Sequence, residues 1–320
     1  MNGGKILVIG ASGQIGIDLV LALRAQHGTT QVVASDIRPS EHPALLDGPF
    51  ELLDVMDREA CARVLQSHNI QTVYHLAAML SARAEQHPLL AWDLNMKSLL
   101  NLLELAREGV YSKLFWPSSI AVFGPSTPRH LTPQNALCEP STVYGISKLA
   151  GERWCEYYHE KYGVDVRSVR YPGLVSHSAP PGGGTTDYAV EIFHEALASG
   201  AYTSFLEGDT ALPMMYMEDA IRATIQITEA PTDVIKLRSS YNLAGISFTP
   251  ETIAEAIRVH IPALTVDYAP DFRQTIADSW PNSINDQAAR RDWGWDPKYD
   301  LAQMVEAMLT ALKKKILEVT

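Results

Sequence analysis

The feature that most constrains this 320-residue chain is a glycine turn placed directly after a run of apolar residues. Lys5-Ile-Leu-Val-Ile9 reads as a strand buried on both faces of a parallel sheet. Gly10-Ala-Ser-Gly13-Gln-Ile-Gly16 follows it and opens a helical stretch. Glycines at this spacing let the chain turn sharply, bring its backbone against a diphosphate and seat the helix close to the sheet. Backbone N–H groups at the helix start, with the positive end of its dipole, suit a phosphate. Glycine triplets are common, and it is the strand before and the helix after that give this one meaning. The turn predicts a dinucleotide cradle.

The first half of the chain repeats the same β-α grammar. Short apolar runs occur at Gln31-Val-Val-Ala34, Phe50-Glu-Leu-Leu53, Thr72-Val-Tyr-His-Leu76, Lys113-Leu-Phe-Trp116 and Val164-Asp-Val-Arg-Ser-Val169. Helical stretches lie between them, the clearest from Leu89 to Arg107 and from Thr142 to Tyr162. Repeated β-α units predict an α/β fold with a doubly wound parallel (Rossmann) sheet. After about Gly173 the alternation fails. Pro180-Pro-Gly-Gly-Gly184 precedes a helix from Tyr188 to Ser199, and later helices and short strands mix. We expect residues 1–173 to form the Rossmann domain. Residues 174–320 would form a smaller mixed α/β substrate lobe, with some segments returning to the first. Met214-Met-Tyr-Met217, Trp293 and Trp295 read as packing, and Lys313-Lys-Lys315 as a solvated helix end.

Charge and cysteine content remove several classes of function. Lys and Arg total 26 against 37 Asp and Glu, a net charge of −11 with no basic block, which disfavours nucleic acid and anionic membrane as partners. Cys61, Cys138 and Cys155 are too few and too scattered for a disulfide framework or a zinc site, and suggest a reducing compartment. No run approaches the roughly 18 apolar residues of a membrane span, and a strand so near the N-terminus argues against a signal peptide. The expected location is the cytoplasm.

Asp36 ends the second apolar run 20 residues beyond Gly16, where an acid holds the adenosine ribose hydroxyls and repels a 2′-phosphate. That favours NAD over NADP, although Arg38 two residues on is a residue type that accommodates such a phosphate. Asp54 closes the third run before Val55, where either an adenine contact or a turn is expected.

The chemistry-bearing pattern comes later. Tyr144-Gly-Ile-Ser-Lys148 sits on a helix, so the tyrosine and the lysine share one face. Ser118-Ser119 follows the strand ending at Trp116, and Ser119 precedes Tyr144 by 25 residues. A phenol with a pKa near 10 is a poor base at neutral pH, and lowering it by about 3 units takes roughly 4 kcal/mol of differential stabilisation. Lys148 together with an oxidised nicotinamide would supply it. Ser119 would hold a substrate hydroxyl whose proton goes to Tyr144 while the carbon-bound hydrogen leaves as hydride.

The glycine turn, Ser119, Tyr144 and Lys148 resemble the extended short-chain dehydrogenase/reductase superfamily. His75-Leu-Ala-Ala78, Asn95, Ala121-Val-Phe-Gly124 and Arg170-Tyr-Pro-Gly173 support the likeness over the first half. In the second half, Pro181-Gly-Gly-Gly-Thr-Thr-Asp-Tyr-Ala-Val-Glu-Ile-Phe193 and Leu212-Pro-Met-Met-Tyr-Met217 with Asp219 are similar to the short-chain type of L-threonine 3-dehydrogenase. So are Ile276-Ala-Asp-Ser-Trp-Pro281 and Asp292-Trp-Gly-Trp295. Glu218, where that family commonly has proline, departs from its pattern and is expected on the surface.

The resemblance implies NAD-dependent oxidation of the L-threonine 3-hydroxyl to 2-amino-3-ketobutyrate, without zinc, by a homodimer built on the Leu89–Arg107 and Thr142–Tyr162 helices. No HExxH and no Cys/His cluster is present, in keeping with a metal-free site. It implies a cofactor set of Gly10, Ser12, Gly13, Gln14, Ile15, Gly16, Asp36, Ile37, Arg38, Asp54, Val55, Leu76, Ala77, Ala78, Asn95, Ser118, Tyr144, Lys148, Tyr171 and Pro172. For the substrate, Gly183, Gly184, Thr185 and Thr186 offer N–H groups and hydroxyls to a carboxylate, and the triple glycine also reads as a plain hinge. Ser81 and Trp280 join Ser119 and Tyr144 by resemblance. The alternative activity is a sugar-nucleotide epimerase or dehydratase. It needs cations for a diphosphate, and no Arg or Lys occurs between Val175 and Asp219. A non-catalytic NAD sensor would have no need of Ser119, Tyr144 and Lys148 together.

Overall fold

The computed structural model describes residues 4–178 and 184–319. Six strands form the central sheet in the order Phe50–Leu52, Val32–Asp36, Lys5–Ile9, Ile70–His75, Lys113–Phe115, Asp165–Arg167, and every neighbouring pair is parallel. Leu7, Val8, Ile9, Val32, Val33, Ala34, Val73 and Leu114 are all at most 1% exposed, as strands covered by helices on both faces must be. The chain starts mid-sheet, builds to one edge, then crosses back to place Ile70–His75 beside Lys5–Ile9. At that reversal the connections leave in opposite directions, so a crevice opens beyond the carboxyl ends of the two strands. This is a Rossmann-like α/β fold.

Two runs expected to be single strands are broken, and the breaks shape the crevice. Lys113–Phe115 stops short of Pro117, which has no N–H for the ladder, and pairing resumes at Ser118–Ser119. Val164–Val169 divides into Asp165–Arg167 and Val169–Tyr171, with the Ser168 hydroxyl bonded to that of Ser240 at 3.0 Å. Ser118–Ser119, Val169–Tyr171 and Tyr241–Asn242 then form a parallel three-stranded sheet of their own.

The later chain makes a second small sheet, Ile246–Phe248, Leu212–Tyr216 and Gly173–Val175, and a pair, Ala201–Ser204 with Thr265–Tyr268. The helices Tyr188–Ala198, Pro250–Arg258 and Leu301–Val319 pack around them through Tyr188, Phe193, Ile253, Met304 and Met308. Met214 to Met217 are buried, as are Trp293 and Trp295, while Glu218 is exposed. The helix Met217–Glu229 lies against Gln14–His27 and shares a core with Val8, Leu19, Val20 and Leu23.

The helices Pro88–Arg107 and Val143–Tyr162 run side by side over the sheet, with Leu99, Leu102, Leu103 and Cys155 in one core. Pro88 starts the first at a position where its missing N–H costs nothing. Thr142 caps the second by accepting from Gly145 N, and Gly163 ends it in a left-handed conformation with φ +72°. Leu99 is fully buried where the two meet. Leu99→Ala is expected to cost about 2–5 kcal/mol in chemical denaturation, as for other buried leucines; a loss below about 1 kcal/mol would mean that the site closes over the cavity far better than such cores do.

Candidate active site and cofactor cradle

The glycine turn is held by backbone contacts that a side chain would destroy. Gly10 has φ +80°, and a Cβ there would lie 2.8 Å from Ala77 N. At Gly16 a Cβ would lie 2.3 Å from the Gly10 carbonyl oxygen and 2.6 Å from that of Ala11, so the helix can seat only without one. Gly13 differs: it is exposed, and no protein atom comes closer than 3.3 Å to a Cβ built there. Its bareness leaves the backbone open to a ligand. Gly13 also caps the helix Gln14–His27 with no side-chain bond and no acid in the first turn, so the dipole end is unneutralised. Ser12 Oγ and Gln14 Nε2 are buried beside it with no hydrogen-bond partner. Asp36 Oδ2 accepts from Ser12 N at 3.0 Å, which ties the turn to the end of the second strand. An orphaned hydroxyl, an orphaned amide and an uncapped helix start fit a dinucleotide diphosphate.

The cradle opens into a cavity. Ser119 and Tyr144 both line it, with the Ser119 hydroxyl beside the Tyr144 phenol, and Ser119 Oγ also accepts from Ala121 N at 3.2 Å. Lys148, only 3% exposed, donates from Nζ to the Pro117 carbonyl at 2.6 Å. That ammonium lies 4.4 Å from the Trp116 ring centroid and 5.6 Å from that of Tyr144. Ser81, Thr185, Thr186 and Trp280 also line the cavity, with the Ser81 and Thr185 hydroxyls 3.5 Å apart. So does a carboxylate, Asp187, which accepts from Gly184 N at 2.8 Å. Gly173 lines it too; a Cβ there would lie 2.6 Å from Thr186 Cγ2.

Burial pushes the Tyr144 phenol up to about 12, with the Ser119 hydrogen bond acting the other way. Burial also draws Lys148 down to about 7, against the opposing pull of Cys155 and Glu152. Desolvation dominates at both residues, and the Lys148 ammonium is engaged by the Pro117 carbonyl.

Most sequence-derived positions converge on the cavity. Gly10, Gly13, Gln14, Ile15, Gly16, Leu76, Ala78, Ser81, Ser118, Ser119, Tyr144, Lys148, Tyr171, Pro172, Gly184, Thr185, Thr186 and Trp280 all line it. Gly183 lies outside the described residues. Ser12, Asp36, Ile37, Arg38, Asp54, Val55 and Ala77 are not among the lining residues; Ile37, Arg38 and Asp54 are on the open surface past the second and third strands. Asp54 Oδ1 accepts from Met56 N at 2.9 Å, which makes it a turn-forming residue. Asn95 also stays out of the cavity. Its amide braces both the N–H and the carbonyl of Met79 and reaches Ser147 Oγ at 3.2 Å. Leu80, Pro117, Ile120, Gly173, Leu174 and Asp187 line the cavity without having been expected as cofactor or substrate residues. Pro117, Ile120 and Asp187 were legible as the immediate neighbours of Ser118-Ser119 and Thr186.

Residues 6–244 match the NAD dependent epimerase/dehydratase family. The chain belongs to that family. An uncharacterised epimerase/dehydratase of Staphylococcus haemolyticus is 52% identical over 97% of this chain and 98% of its own. Among solved structures, the GalE-like L-threonine dehydrogenase of Cupriavidus necator in its holo form is 57% identical, with a TM-score of 0.94 over 96% of this chain and 99% of that one. A monomeric L-threonine 3-dehydrogenase from a metagenome, in its apo form, is 48% identical with a TM-score of 0.93, over 97% and 99% of the two chains. Membership of an NAD-dependent family agrees with the cradle, and NAD is the cofactor. Gly16→Ala is expected to weaken NADH binding at least tenfold, about 1.4 kcal/mol, by fluorescence titration. An unchanged affinity would separate the glycine turn from cofactor binding.

Proposed function

We propose that this chain is an NAD-dependent L-threonine 3-dehydrogenase that converts the 3-hydroxyl of L-threonine to a ketone, giving 2-amino-3-ketobutyrate and NADH. The observation that carries the reading is the content of the cavity. It joins Ser119, Tyr144 and Lys148 to the polar groups of Ser81, Thr185, Thr186 and Asp187, and its lining contains no arginine among the described residues. A zwitterion matches those groups: hydroxyls and loop N–H groups for its carboxylate, Asp187 for its ammonium. A nucleoside diphosphate sugar would need cations that these groups do not offer. The Cupriavidus and metagenome relatives, both described as L-threonine dehydrogenases, support the same substrate.

In this reading, NAD bound in the cradle supplies the hydride acceptor and, in its oxidised form, a positive charge. Ser119 accepts or donates at the substrate hydroxyl and fixes its oxygen. Tyr144 takes the hydroxyl proton as the hydrogen on C3 departs as hydride. Lys148, held by Pro117, sets the local positive field and is one helical turn from the phenol. Residues to about Gly173 carry the cofactor and the base; those beyond it shape the substrate lobe, with the helix Met217–Glu229 and the strand Tyr241–Asn242 returned to the first half.

We further propose a homodimer and a cytoplasmic setting. Leu89, Leu90 and Trp92 on one helix and Trp154 and Tyr157 on its neighbour are between 39% and 82% exposed, an apolar face that a two-fold pairing would cover. Three free thiols support a reducing compartment. No helix among the described residues is long and apolar enough to cross a membrane.

Absorbance of NADH at a fixed enzyme concentration, with L-threonine, L-allo-threonine, other L-amino acids and UDP-sugars in turn, tests the substrate. Turnover with L-threonine and none with UDP-sugars is expected; the reverse overturns the proposal. Tyr144→Phe should bind NADH normally and turn over at least about 100-fold more slowly, the scale of losing a general base. Normal turnover would remove Tyr144 from the chemistry. Sedimentation should give a dimer at micromolar protein; a monomer would align this chain with the monomeric metagenome relative instead.

A further inference from the structure

Glu152 takes no part in the proposed reaction, yet it is a carboxylate only 1% exposed. It accepts from Ser118 Oγ at 2.5 Å and from Arg170 twice, through Nε at 2.9 Å and Nη2 at 2.7 Å. Arg170 gives its remaining amine, Nη1, to the Gln134 carbonyl at 3.1 Å and to Asn242 Oδ1 at 3.0 Å. Ser118 and Arg170 are register partners in the short parallel pairing of Ser118–Ser119 with Val169–Tyr171. One carboxylate therefore fastens both members of a single rung to the helix Val143–Tyr162.

The spacing shows what the fastening serves. Tyr144, Lys148 and Glu152 recur every four residues and form one stripe along that helix. Each reaches a different residue of the same three-residue segment: Tyr144 meets the Ser119 hydroxyl, Lys148 the Pro117 carbonyl and Glu152 the Ser118 hydroxyl. Besides these contacts the segment is held by two rungs to Val169–Tyr171, a short attachment: the strand of the six-stranded ladder ends at Phe115, Pro117 has no N–H, and the resumed strand is two residues long.

We propose that Glu152 is a positioning residue for the dehydrogenation: it locks Pro117–Ser119 against the Tyr144–Lys148 helix, so that the serine hydroxyl and the lysine ammonium are presented to the phenol in register. This rests on the reading of Ser119, Tyr144 and Lys148 given above. The Arg170 guanidinium, shared with Asn242, extends the lock to the strand Tyr241–Asn242. A buried ion pair is weak evidence for stability in itself, whereas its use in fixing geometry is a separate and testable role.

The test is Glu152→Gln, which keeps the shape and loses the charge, beside the double variant Glu152→Gln/Arg170→Gln, which leaves no charge unpaired. Rates are expressed per NADH-binding site, so that a smaller folded fraction does not count as slower chemistry. With L-threonine, Glu152→Gln should lower kcat roughly 10- to 100-fold, the scale of a misplacement of about 1 Å. NADH affinity and the KM for threonine should stay within about 3-fold, well under the tenfold that 1.4 kcal/mol represents. The deuterium isotope effect on kcat with threonine labelled at C3 should rise, because the hydride step itself is slowed. The double variant should regain thermal stability and remain slow. A kcat per site within about 3-fold of the parent enzyme, or one restored in the double variant, overturns the proposal. Should Glu152→Gln fail to fold, the double variant decides alone. If Tyr144→Phe is inactive while Glu152→Gln is normal, only this inference falls; if Tyr144→Phe is normal, the underlying reading falls with it.

Discussion

The structure depends on how closely one helix lies against one strand end. The helix Val143–Tyr162 touches the chain around Trp116 to Ala121 at two glycines. A Cβ at Gly145 would sit 2.1 Å from the Ala121 carbonyl oxygen, and one at Gly151 would sit 2.4 Å from the Trp116 ring. Any larger residue at either position would push the helix outward and carry Tyr144 and Lys148 with it. The hydroxyl pairing of Ser119 with Tyr144 and the Lys148–Pro117 hydrogen bond exist because nothing stands between these two elements. The glycine turn at the other end of the cavity repeats the device, with Gly16 pressed on the Gly10 and Ala11 carbonyls. Both ends of the proposed reaction path are thus set by backbone approach, which is less compliant than side-chain contact.

Close packing has an electrostatic consequence. Drying the Tyr144 phenol raises its pKa, and drying the Lys148 ammonium lowers its own, so each is displaced toward its neutral form. In the reading proposed above, the positive charge of an oxidised nicotinamide bound in the cradle would oppose that displacement at Tyr144 and favour its phenolate. Glu152, one turn beyond Lys148 on the same helix face, forms a buried ion pair with Arg170.

Much of this was legible in the residues, and the remainder has physical reasons for being hidden. Strand-turn-helix at Lys5 to Gly16 is a local pattern, written in consecutive residues, and the structure follows it closely. The Tyr144 and Lys148 spacing is likewise local. The break at Pro117 was also local but needed knowledge of which strand it would interrupt. The addition of Tyr241–Asn242 beside Val169–Tyr171 joins segments some 70 residues apart through two rungs, too short to leave a pattern. Glu152 was invisible for a different reason. A glutamate inside a charged helical stretch reads as solvated, and only the Arg170 guanidinium arriving from another strand explains its burial. Asn95, expected near the cofactor, has a further role that its sequence neighbours do not show: it holds the Met79 turn that leads to Ser81.

Charge also argues for the substrate class from a direction independent of resemblance. Among the described residues, the cavity lining includes one lysine, Lys148, and one carboxylate, Asp187. Lys148 already serves Pro117, and Asp187 already orders the start of the loop at Gly184. The described lining thus carries no cluster of cations of the kind that a sugar diphosphate calls for beside the cofactor. A sugar diphosphate would have to bring two negative charges to hydroxyls and one acid, a desolvation that neutral donors recover poorly. An amino acid with a β-hydroxyl places its own charges against groups that are already polarised for them, and presents the hydroxyl to Ser119 and Tyr144 with no other charge to bury.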